Sequence, residues 1–364
     1  MRILFSACPL PGHITTILPL ALAARAAGHD VAVATGAGVV PQVRRHRIEA
    51  WAVGPAQSEL AGGGTAAQRA AFFAHSAARR AEDLVPRAAR WAPDLVVSET
   101  AEVAGSVAAA VTGARHVVHG LGVMPPIGVW DAYAMHVDSL LARWGGEGSA
   151  EVVRAATYLD VCPPALRRDG ERIWGNSLDL RPTTAPEGGA PAGIGDLPYR
   201  DTIFVRPGTP GDGRAVLAAL GDLPANVVVS ADPGRYGPQP GHVLISPDVS
   251  LASVLPRSRA VISPGGPGIA LAALAYGLPQ LVLSLETGHA EAGEDAVTHA
   301  GAALTVPALG PLAIERAVRR CVPRLLEDPA FADSAAWVQV EIAAMSSPDA
   351  IVRALTAEGV PALR

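Results

Sequence analysis

The chain has 364 residues, of which 49% are hydrophobic and 17% are charged, so it can bury a sizeable core and is too apolar for a disordered protein. Its 29 basic residues, every one of them Arg, and its 34 acidic residues give a net charge of -5, which argues against a nucleic-acid-binding protein and excludes a Schiff-base or P-loop lysine. Apolar runs long enough for a membrane span are absent, and the three scattered cysteines form neither a disulfide framework nor a CxxC metal site. We therefore expect a cytoplasmic protein of at least two domains, with no metal and no membrane partner.

The first half of the chain alternates short apolar runs with longer helical patterns. Strands that are buried on both faces and alternate with helices are typical of βαβ units and a parallel sheet. A helix is predicted over His13–Ala27, where Gly28 ends it, and a second, alanine-rich helix precedes the last strand of this half. The predicted strands are Ile3–Ala7, Val31–Thr35, Asp94–Ser98 and His116–His119.

The second half repeats this alternation after a break in composition. Between Leu180 and Pro198 the chain is rich in Pro, Gly, Thr and Ala without a hydrophobic period, which is typical of a linker. Helices are predicted at 311–328 and 348–358. The strands predicted in this half are 202–205, 226–230, 260–263 and 280–283.

These patterns predict four parts of the chain. They are an N-terminal domain over 1–180, a linker over 181–199, a C-terminal domain over 200–345 and a final helical segment over 346–364. Two α/β domains joined in this way are expected to form a cleft, with ligands bound beyond the carboxyl ends of the strands.

Two groups of motifs go beyond a generic α/β pattern. The N-terminal group is Pro-Leu-Pro-Gly-His at 9–13 and Ala-Gly-His-Asp-Val at 27–31. The C-terminal group is Leu-Ala-Ser-Val-Leu-Pro at 251–256, Ser-Pro-Gly-Gly-Pro-Gly at 263–268 and Ala-Tyr-Gly-Leu-Pro-Gln at 275–280. Together they resemble the bacterial glycosyltransferases of the GT-B fold that decorate polyketides and other secondary metabolites, and the resemblance covers nearly the whole chain.

The resemblance implies both a fold and a reaction. The fold is α/β, with two Rossmann-like domains built on parallel sheets, one for the acceptor and one for the nucleotide sugar, and with a last helix that packs back on the first domain. The reaction is inverting transfer of a sugar from a dTDP- or UDP-sugar to an apolar natural product, without a metal or other cofactor. In that reaction a histidine after the first strand deprotonates the acceptor hydroxyl, and His13 occupies this position.

His13 also has a physical case that does not depend on the resemblance. It follows Pro11 and Gly12 at a strand-to-helix turn, and histidine side chains ordinarily titrate near about pH 6.5, which suits a general base. A base is usually oriented by a carboxylate. Glu99 and Glu102 both lie just past a predicted strand that ends at the same sheet edge, and the sequence leaves open which of them holds the imidazole.

The acceptor pocket is predicted around the same edge of the first sheet. His116, His119 and a Gly/Pro-rich loop follow the next strand, although a lone histidine in such a place is more often packed than catalytic. The residues predicted to contact the acceptor are Pro11, Gly12, His75, His119, Met124 and Trp130.

The donor side departs from the pattern of the family at four places. Asp248 stands near the position where the family has a Trp that stacks on the nucleotide base. Pro264 replaces a histidine that contacts the diphosphate, and Ile269 replaces a Thr. The family's Asp-Gln pair, which binds sugar hydroxyls, falls on Gly288-His289. Each change removes a stacking face or a hydrogen-bonding group.

Part of a phosphate site is nevertheless retained. The glycines at 265, 266 and 268 open a predicted helix, whose free N–H groups and dipole attract an anion. Arg206, at the end of the first strand of the C-terminal domain, could replace the missing histidine by forked contacts to phosphate, or could be a surface arginine. The predicted donor residues are therefore Arg206, Gly208, Thr209, Gly265, Gly266, Gly268 and His289.

Three functions remain open on the sequence. The first is glycosyl transfer with a rebuilt donor site and His13 as the base. The second is a homologue without a sugar donor, in which His13 promotes a cyclisation, dehydration or isomerisation of a biosynthetic intermediate. The third is a non-catalytic partner of a true glycosyltransferase. A small natural-product molecule is the expected substrate, and a homodimer is the default expectation for the assembly.

Overall fold

The computed structural model divides the chain into two compact α/β units. The first unit comprises Met1–Cys162, Arg167–Arg181 and the residues from Met345 onward, and the second comprises Pro163–Leu166 and Pro182–Ala344. Within the described part of the chain, no helix combines the length and the apolar character that a membrane span needs. The structure describes residues 1–54, 66–123, 137–144, 156–167, 176–185, 190–247, 249–284 and 296–357, and for 66–75 it describes the backbone.

The first unit is built on a seven-stranded parallel sheet. Its strands are β1 Arg2–Ser6, β2 Asp30–Thr35, β3 Glu49–Ala52, β4 Leu95–Glu99, β5 Arg115–His119, β6 Thr157–Asp160 and β7 Ser177–Asp179. They lie in the order β3-β2-β1-β4-β5-β6-β7. Every residue of β4 is buried, because helices cover both faces of a parallel sheet.

The second unit is built on a six-stranded parallel sheet. Its strands are β8 Thr202–Val205, β9 Asn226–Ser230, β10 Val243–Ser246, β11 Ser258–Ser263, β12 Gln280–Ser284 and β13 Ala303–Pro307. They lie in the order β10-β9-β8-β11-β12-β13. The apolar side chains of β8 and β9 are buried in the cores on the two faces of this sheet.

The described part of the chain contains ten α-helices with defined bounds. They are α1 Pro11–Ala26, α2 Val40–Arg45, α3 Ala66–Trp91, α4 Val103–Thr112, α5 Pro210–Leu220, α6 Leu251–Val254, α7 Pro267–Ala275, α8 Pro311–Glu327, α9 Pro329–Ala344 and α10 Pro348–Thr356. In the first unit, α3 packs on α4, and α10 packs on α1. The return of the chain to the first unit is fixed by Arg181, whose backbone N–H donates to the Ser346 carbonyl at 2.8 Å.

Each sheet has a point where the order of its strands reverses. In the first sheet β1 lies between β2 and β4, and in the second sheet β8 lies between β9 and β11. Ligands of open α/β sheets bind at such points, outside the carboxyl ends of the strands. The register pairs Ser6 with Ser98 and Glu99 with His119, so the ends of β1, β4 and β5 lie at one edge. This edge carries the candidate site.

The structure confirms the predicted fold class and each strand predicted in the two halves. The predicted helix over His13–Ala27 is α1, which begins two residues earlier and ends where Gly28 has a φ of +85°. The sequence analysis did not identify five strands, β3, β6, β7, β10 and β13, or the two long helices α3 and α9.

Candidate active site

His13 is placed by the start of α1, which follows the β1 strand at the reversal point of the first sheet. Pro11 is the first residue of the helix, a position that needs no N–H donor, and Leu10 precedes it in extended conformation. His13 is therefore the third residue of α1, and its side chain is 19% exposed. The turn thus brings a partly exposed imidazole to the carboxyl edge of the sheet.

The imidazole of His13 contacts Glu99, the last residue of β4. Nδ1 of His13 lies 2.8 Å from Oε1 of Glu99, and the Glu99 side chain is fully buried. The same carboxylate accepts the backbone N–H of Cys8 at 3.0 Å on Oε1 and the backbone N–H of Ala101 at 2.5 Å on Oε2. The sequence offered Glu99 and Glu102 as partners of the imidazole, and Glu99 is the one that contacts it.

The surroundings of Glu99 keep it ionised. Burial by itself raises the pKa of this carboxyl group, but the His13 imidazole and the N–H donors of Ala101 and Cys8 outweigh burial and lower the pKa to about 2. An ionised carboxylate only accepts hydrogen bonds, so the shared proton belongs to Nδ1 of His13. In the neutral imidazole Nε2 then carries the lone pair, which is the state a general base requires.

Glu102 occupies a different place in the network. It is the N-cap of α4, where its side chain accepts the backbone N–H of Ala104 at 2.8 Å. Its carboxylate forms a buried ion pair with Nη2 of Arg80 on α3. Burial raises the pKa of Glu102, the nearby Glu99 adds to this, and Arg80 opposes it. Glu102 therefore pairs with an arginine rather than with His13.

Two further histidines lie on β5, where His116 is half-buried and His119 is buried. Burial lowers the pKa of His116 to about 4, and its Nε2 lies 2.8 Å from Oγ of Ser98, which identifies it as a packed residue. His119 is 1% exposed, and its Nδ1 donates to the Gly120 carbonyl at 2.6 Å. Burial also lowers the pKa of His119 to about 4. This burial argues against the direct acceptor contact predicted for His119.

The other predicted acceptor residues are described only in part. Pro11 and Gly12 are exposed at the start of α1, and a Cβ on Gly12 would meet no atom of the described residues within 4 Å, so these residues leave room for a ligand there. His75 lies on α3, but its side chain is outside the described residues, as are Met124 and Trp130.

Cys8, His13 and Glu99 are side chains of the types that bind zinc, and their ligand atoms lie within 4.8 Å of one another. A cysteine binds a metal as the thiolate. Burial, followed by the charges of Glu99 and Glu102, raises the pKa of Cys8 well above its usual value. Its thiol donates to the Ala101 carbonyl at 3.3 Å, so the three side chains are arranged as a hydrogen-bond network around Glu99.

The glycine turn of the second unit follows β11 at the reversal point of its sheet. Gly265 and Gly266 have φ values of +85° and +99°, which L side chains rarely adopt. The N–H of Gly265 donates to Oγ of Ser263 at 3.2 Å, and Pro267 begins α7, with Gly268 next. A turn of this kind at a helix N-terminus presents N–H groups to an anion, and the anion site there stays a prediction.

Arg206 lies beside this turn within the second unit. Its backbone N–H donates to the Ile262 carbonyl at 2.9 Å, so it follows β8 where the neighbouring β11 ends. Gly208 is exposed. Thr209 is the N-cap of α5 and exchanges hydrogen bonds with Asp212 in a capping box, which occupies its hydroxyl group.

The positions that depart from the family pattern can be placed in part. Ile269 is 5% exposed and packs with the core of α7, β8 and β11 rather than at the turn. Pro264 is half-buried at the turn itself. Asp248, Gly288 and His289 lie outside the described residues.

Arg80 and Cys8 are the members of the network that the sequence analysis did not assign to the site. Arg80 lies on the apolar face of α3, among Ala77, Ala81 and Leu84 of the core. The signal that could have identified it is its spacing, because Arg80 is a charged residue at a position where the helical repeat of buried residues predicts an apolar one.

Comparison with known proteins supports the resemblance noted above. A family model described as erythromycin biosynthesis protein CIII-like, N-terminal domain, matches residues 64–174, and the corresponding C-terminal domain matches 214–357. The chain is 32% identical to the elloramycin glycosyltransferase ElmGT of Streptomyces olivaceus, over 99% of this chain and 98% of that protein. It is 30% identical to the L-demethylnoviosyl transferase of Streptomyces niveus, over 84% of this chain and 85% of that protein.

A solved structure shows the same architecture. The crystal structure of the glycosyltransferase VinC in complex with dTDP matches with a TM-score of 0.81 and 25% identity, covering 98% of both chains. The similarity therefore extends over both units.

Proposed function

This chain belongs to the erythromycin biosynthesis protein CIII-like family of antibiotic-pathway glycosyltransferases, and on that premise we propose that it transfers a sugar from a dTDP-sugar to a hydroxyl group of a polyketide-type aglycone with inversion. The observation that carries the proposal is the 2.8 Å contact between Nδ1 of His13 and the ionised Glu99. It gives a glycosyltransferase-like enzyme the oriented base that this reaction needs.

In the proposed step, Nε2 of His13 takes the proton of the acceptor hydroxyl. The acceptor oxygen forms a bond to the anomeric carbon of the sugar as the bond from that carbon to the diphosphate oxygen breaks. The dTDP leaves with the bonding electron pair, and attack from the opposite face inverts the anomeric carbon. The buried carboxylate of Glu99 stabilises the imidazolium that results, in the way that an acidic residue supports a histidine base in other enzymes.

The second unit supplies the proposed donor site. The complex of VinC with dTDP suggests the nucleotide, and the glycine turn before α7 suggests where a diphosphate would bind. Arg206 follows the adjacent strand, so that it lies at the same sheet edge as the turn. We propose that this arginine supplies the positive charge at the position where Pro264 has removed the histidine of the family.

Calorimetric titration with dTDP and with UDP tests the donor half of the proposal. We expect dTDP to bind in the micromolar range and Arg206→Met to weaken it at least tenfold. The matched control is Arg259→Met, because Arg259 lies near the start of β11, at the opposite edge of the same sheet, and pairs with Asp201 at 3.5 Å. Equal dTDP affinity in Arg206→Met and Arg259→Met would contradict the role of Arg206.

The same titration separates the donor-dependent reaction from the donor-free alternative. The relatives that share most of this chain's length carry the names of glycosyltransferases, which supports a sugar donor. Failure of the wild-type protein to bind either nucleotide would overturn the donor-dependent proposal and favour the acid-base reaction at His13 alone.

A further inference from the structure

We propose that Arg80 is a positioning residue for the His13–Glu99 pair, acting through the peptide group between Ala7 and Cys8 and through the start of α4. The inference rests on the proposed role of His13 as the base. Arg80 contacts neither His13 nor a substrate in this proposal. It fixes the groups that hold the Glu99 carboxylate.

The Arg80 guanidinium is built into the core of the first unit. Its side chain is 1% exposed, and an arginine is almost never fully buried unless its charge is paired. The carboxylate of Glu102 supplies that pairing, and Nη2 also donates to the Ala7 carbonyl at 2.8 Å. A buried ion pair costs desolvation and adds little net stability. Its presence therefore favours a role in positioning the groups around it.

The first path from Arg80 to the base runs through a single peptide group. The carbonyl of Ala7 and the N–H of Cys8 belong to the same planar unit. Arg80 donates to the carbonyl oxygen of this peptide group, and the Cys8 N–H of the same group donates to Oε1 of Glu99 at 3.0 Å. Because the unit is rigid, a tilt of the carbonyl moves the N–H away from the carboxylate oxygen that faces His13.

The second path runs through the N-terminus of α4. The backbone N–H of Glu102 donates to the Glu99 carbonyl at 2.9 Å, while the Glu102 side chain caps the helix and pairs with Arg80. Arg80 thereby ties α3 to the turn 99–102, in which the N–H of Ala101 holds the other oxygen of Glu99. Both oxygens of the Glu99 carboxylate depend on backbone that Arg80 anchors.

The backbone at Gly54 packs closely against the aliphatic part of the Arg80 side chain. Gly54 has a φ of +72°, and a Cβ there would clash with Cγ of Arg80. The N–H of Gly54 donates to Asp83, one turn further along α3, at 2.8 Å. The backbone after β3 is thus held against the stem of Arg80, in a conformation that favours glycine.

The test separates position from stability by removing both charges of the pair. In Arg80→Met/Glu102→Met the core keeps its volume, and replacing a buried ion pair by apolar residues is often neutral for folding. Arg80→Lys keeps the positive charge but not the fork. The control is Arg143→Met. Arg143 also pairs with a carboxylate, that of Glu82 on α3, but this pair lies on the surface, with its atoms 2.7 Å apart.

The first readout is the Nδ1–H resonance of His13 in protein labelled with 15N-histidine, identified by its loss in His13→Asn. We expect this resonance in the wild type and in Arg143→Met, and its loss or broadening in the double variant, which stays folded although the loss of the α4 N-cap lowers its urea midpoint. The second readout is transfer from a dTDP-sugar, where kcat should fall at least tenfold while KM for the dTDP-sugar stays within twofold.

An unchanged resonance and kcat in the folded double variant would overturn the inference. If the double variant does not fold, Arg80→Lys decides, with a shifted resonance and a lower kcat expected and wild-type values overturning it. Transfer that survives His13→Ala would instead defeat the proposed function. The two failures are therefore distinguishable.

Discussion

At the carboxyl edge of the first sheet the described residues include two histidines, two carboxylates, a thiol and a buried arginine, whereas the described turn after β11, at the same edge of the second sheet, consists mainly of glycines and prolines, with Arg206 beside it. Both edges lie where the strand order reverses, so the same backbone topology presents two kinds of chemistry. In the proposed reaction, the first edge works through side chains that titrate, and the second works through backbone N–H groups.

This difference determines how each edge tolerates change. The hydrogen-bond network of the first edge depends on buried groups such as Glu99, whose partners must all be present because an unpaired buried charge is costly. An N–H turn depends on backbone conformation, so the side chains around it can change while the glycines persist. Among the described departures from the family pattern, Pro264 lies at the turn of the second edge, and Ile269 lies in the core next to it.

The largest effect is expected from removing the base of the first edge. His13→Ala should lower kcat for transfer by about a thousandfold, within the usual range for a general base. The binding of dTDP should be unchanged, because the proposed donor residues lie in the second unit. Steady-state kinetics and calorimetry on the same preparation check this, and weaker dTDP binding in His13→Ala would break the assignment of the two functions to two edges.

The next effect is a dependence of stability on pH that belongs to Glu99. Because its folded pKa of about 2 is below the unfolded value, Glu99 stabilises the protein above about pH 4.5, and this contribution is lost as the pH falls towards 2. Glu99→Gln should therefore cost on the order of 3 kcal/mol at pH 7, with the difference from wild type shrinking in acid. Urea unfolding at pH 7, 5 and 3 measures it.

The control for Glu99→Gln is Glu82→Gln on α3, since the Glu82 carboxylate is exposed and paired on the surface. This variant should differ from the wild type by less than about 1 kcal/mol at each pH. A pH-independent loss in Glu99→Gln would contradict the ionised state of the carboxylate.

A smaller effect tests the glycine turn at the carboxyl edge of the second sheet. Gly266→Ala should weaken dTDP binding about tenfold, because a φ of +99° is strained for alanine by roughly 1–3 kcal/mol and the turn must relax. No atom of the described residues lies within 4 Å of the added Cβ, so the expected effect comes from backbone strain rather than from a clash with them. Gly241→Ala, also in open space but without a positive φ, is the matched control. Unchanged affinity in Gly266→Ala would show that the turn does not hold the diphosphate.

The smallest effect concerns a position that the sequence placed at the donor site. Ile269 is buried in the core, so Ile269→Thr should cost about 1–3 kcal/mol of stability and leave dTDP affinity within twofold. Thermal unfolding and calorimetry measure the two quantities. A gain in dTDP affinity would show instead that the change from Thr had weakened the donor site.

The sequence predicted the parts of this molecule that depend on local patterns. Apolar runs and glycine turns identified the strands that carry the site, and a strand-to-helix turn identified His13. The choice of Glu99 over Glu102 depends on how the turn 99–102 folds against β1, which lies more than 80 residues away in the chain. Spacing alone does not encode that contact.

The role of Arg80 illustrates a second limit. It lies far in sequence from every motif, and its contact with the Ala7 carbonyl joins residues that are 73 positions apart in the chain. Ile269 shows the converse. The motif predicts that this position faces the donor, but α7 packs so that the Ile269 side chain lies in the core. Tertiary packing decided both cases.

The measurement that tests the central claim most directly is product formation with and without a dTDP-sugar. The protein is incubated with a panel of hydroxylated polyketide aglycones, and mass spectrometry and NMR identify the product. We predict a glycoside of inverted anomeric configuration, formed only with the dTDP-sugar, together with one dTDP released per glycoside. An altered aglycone formed equally well without any nucleotide sugar would contradict the account.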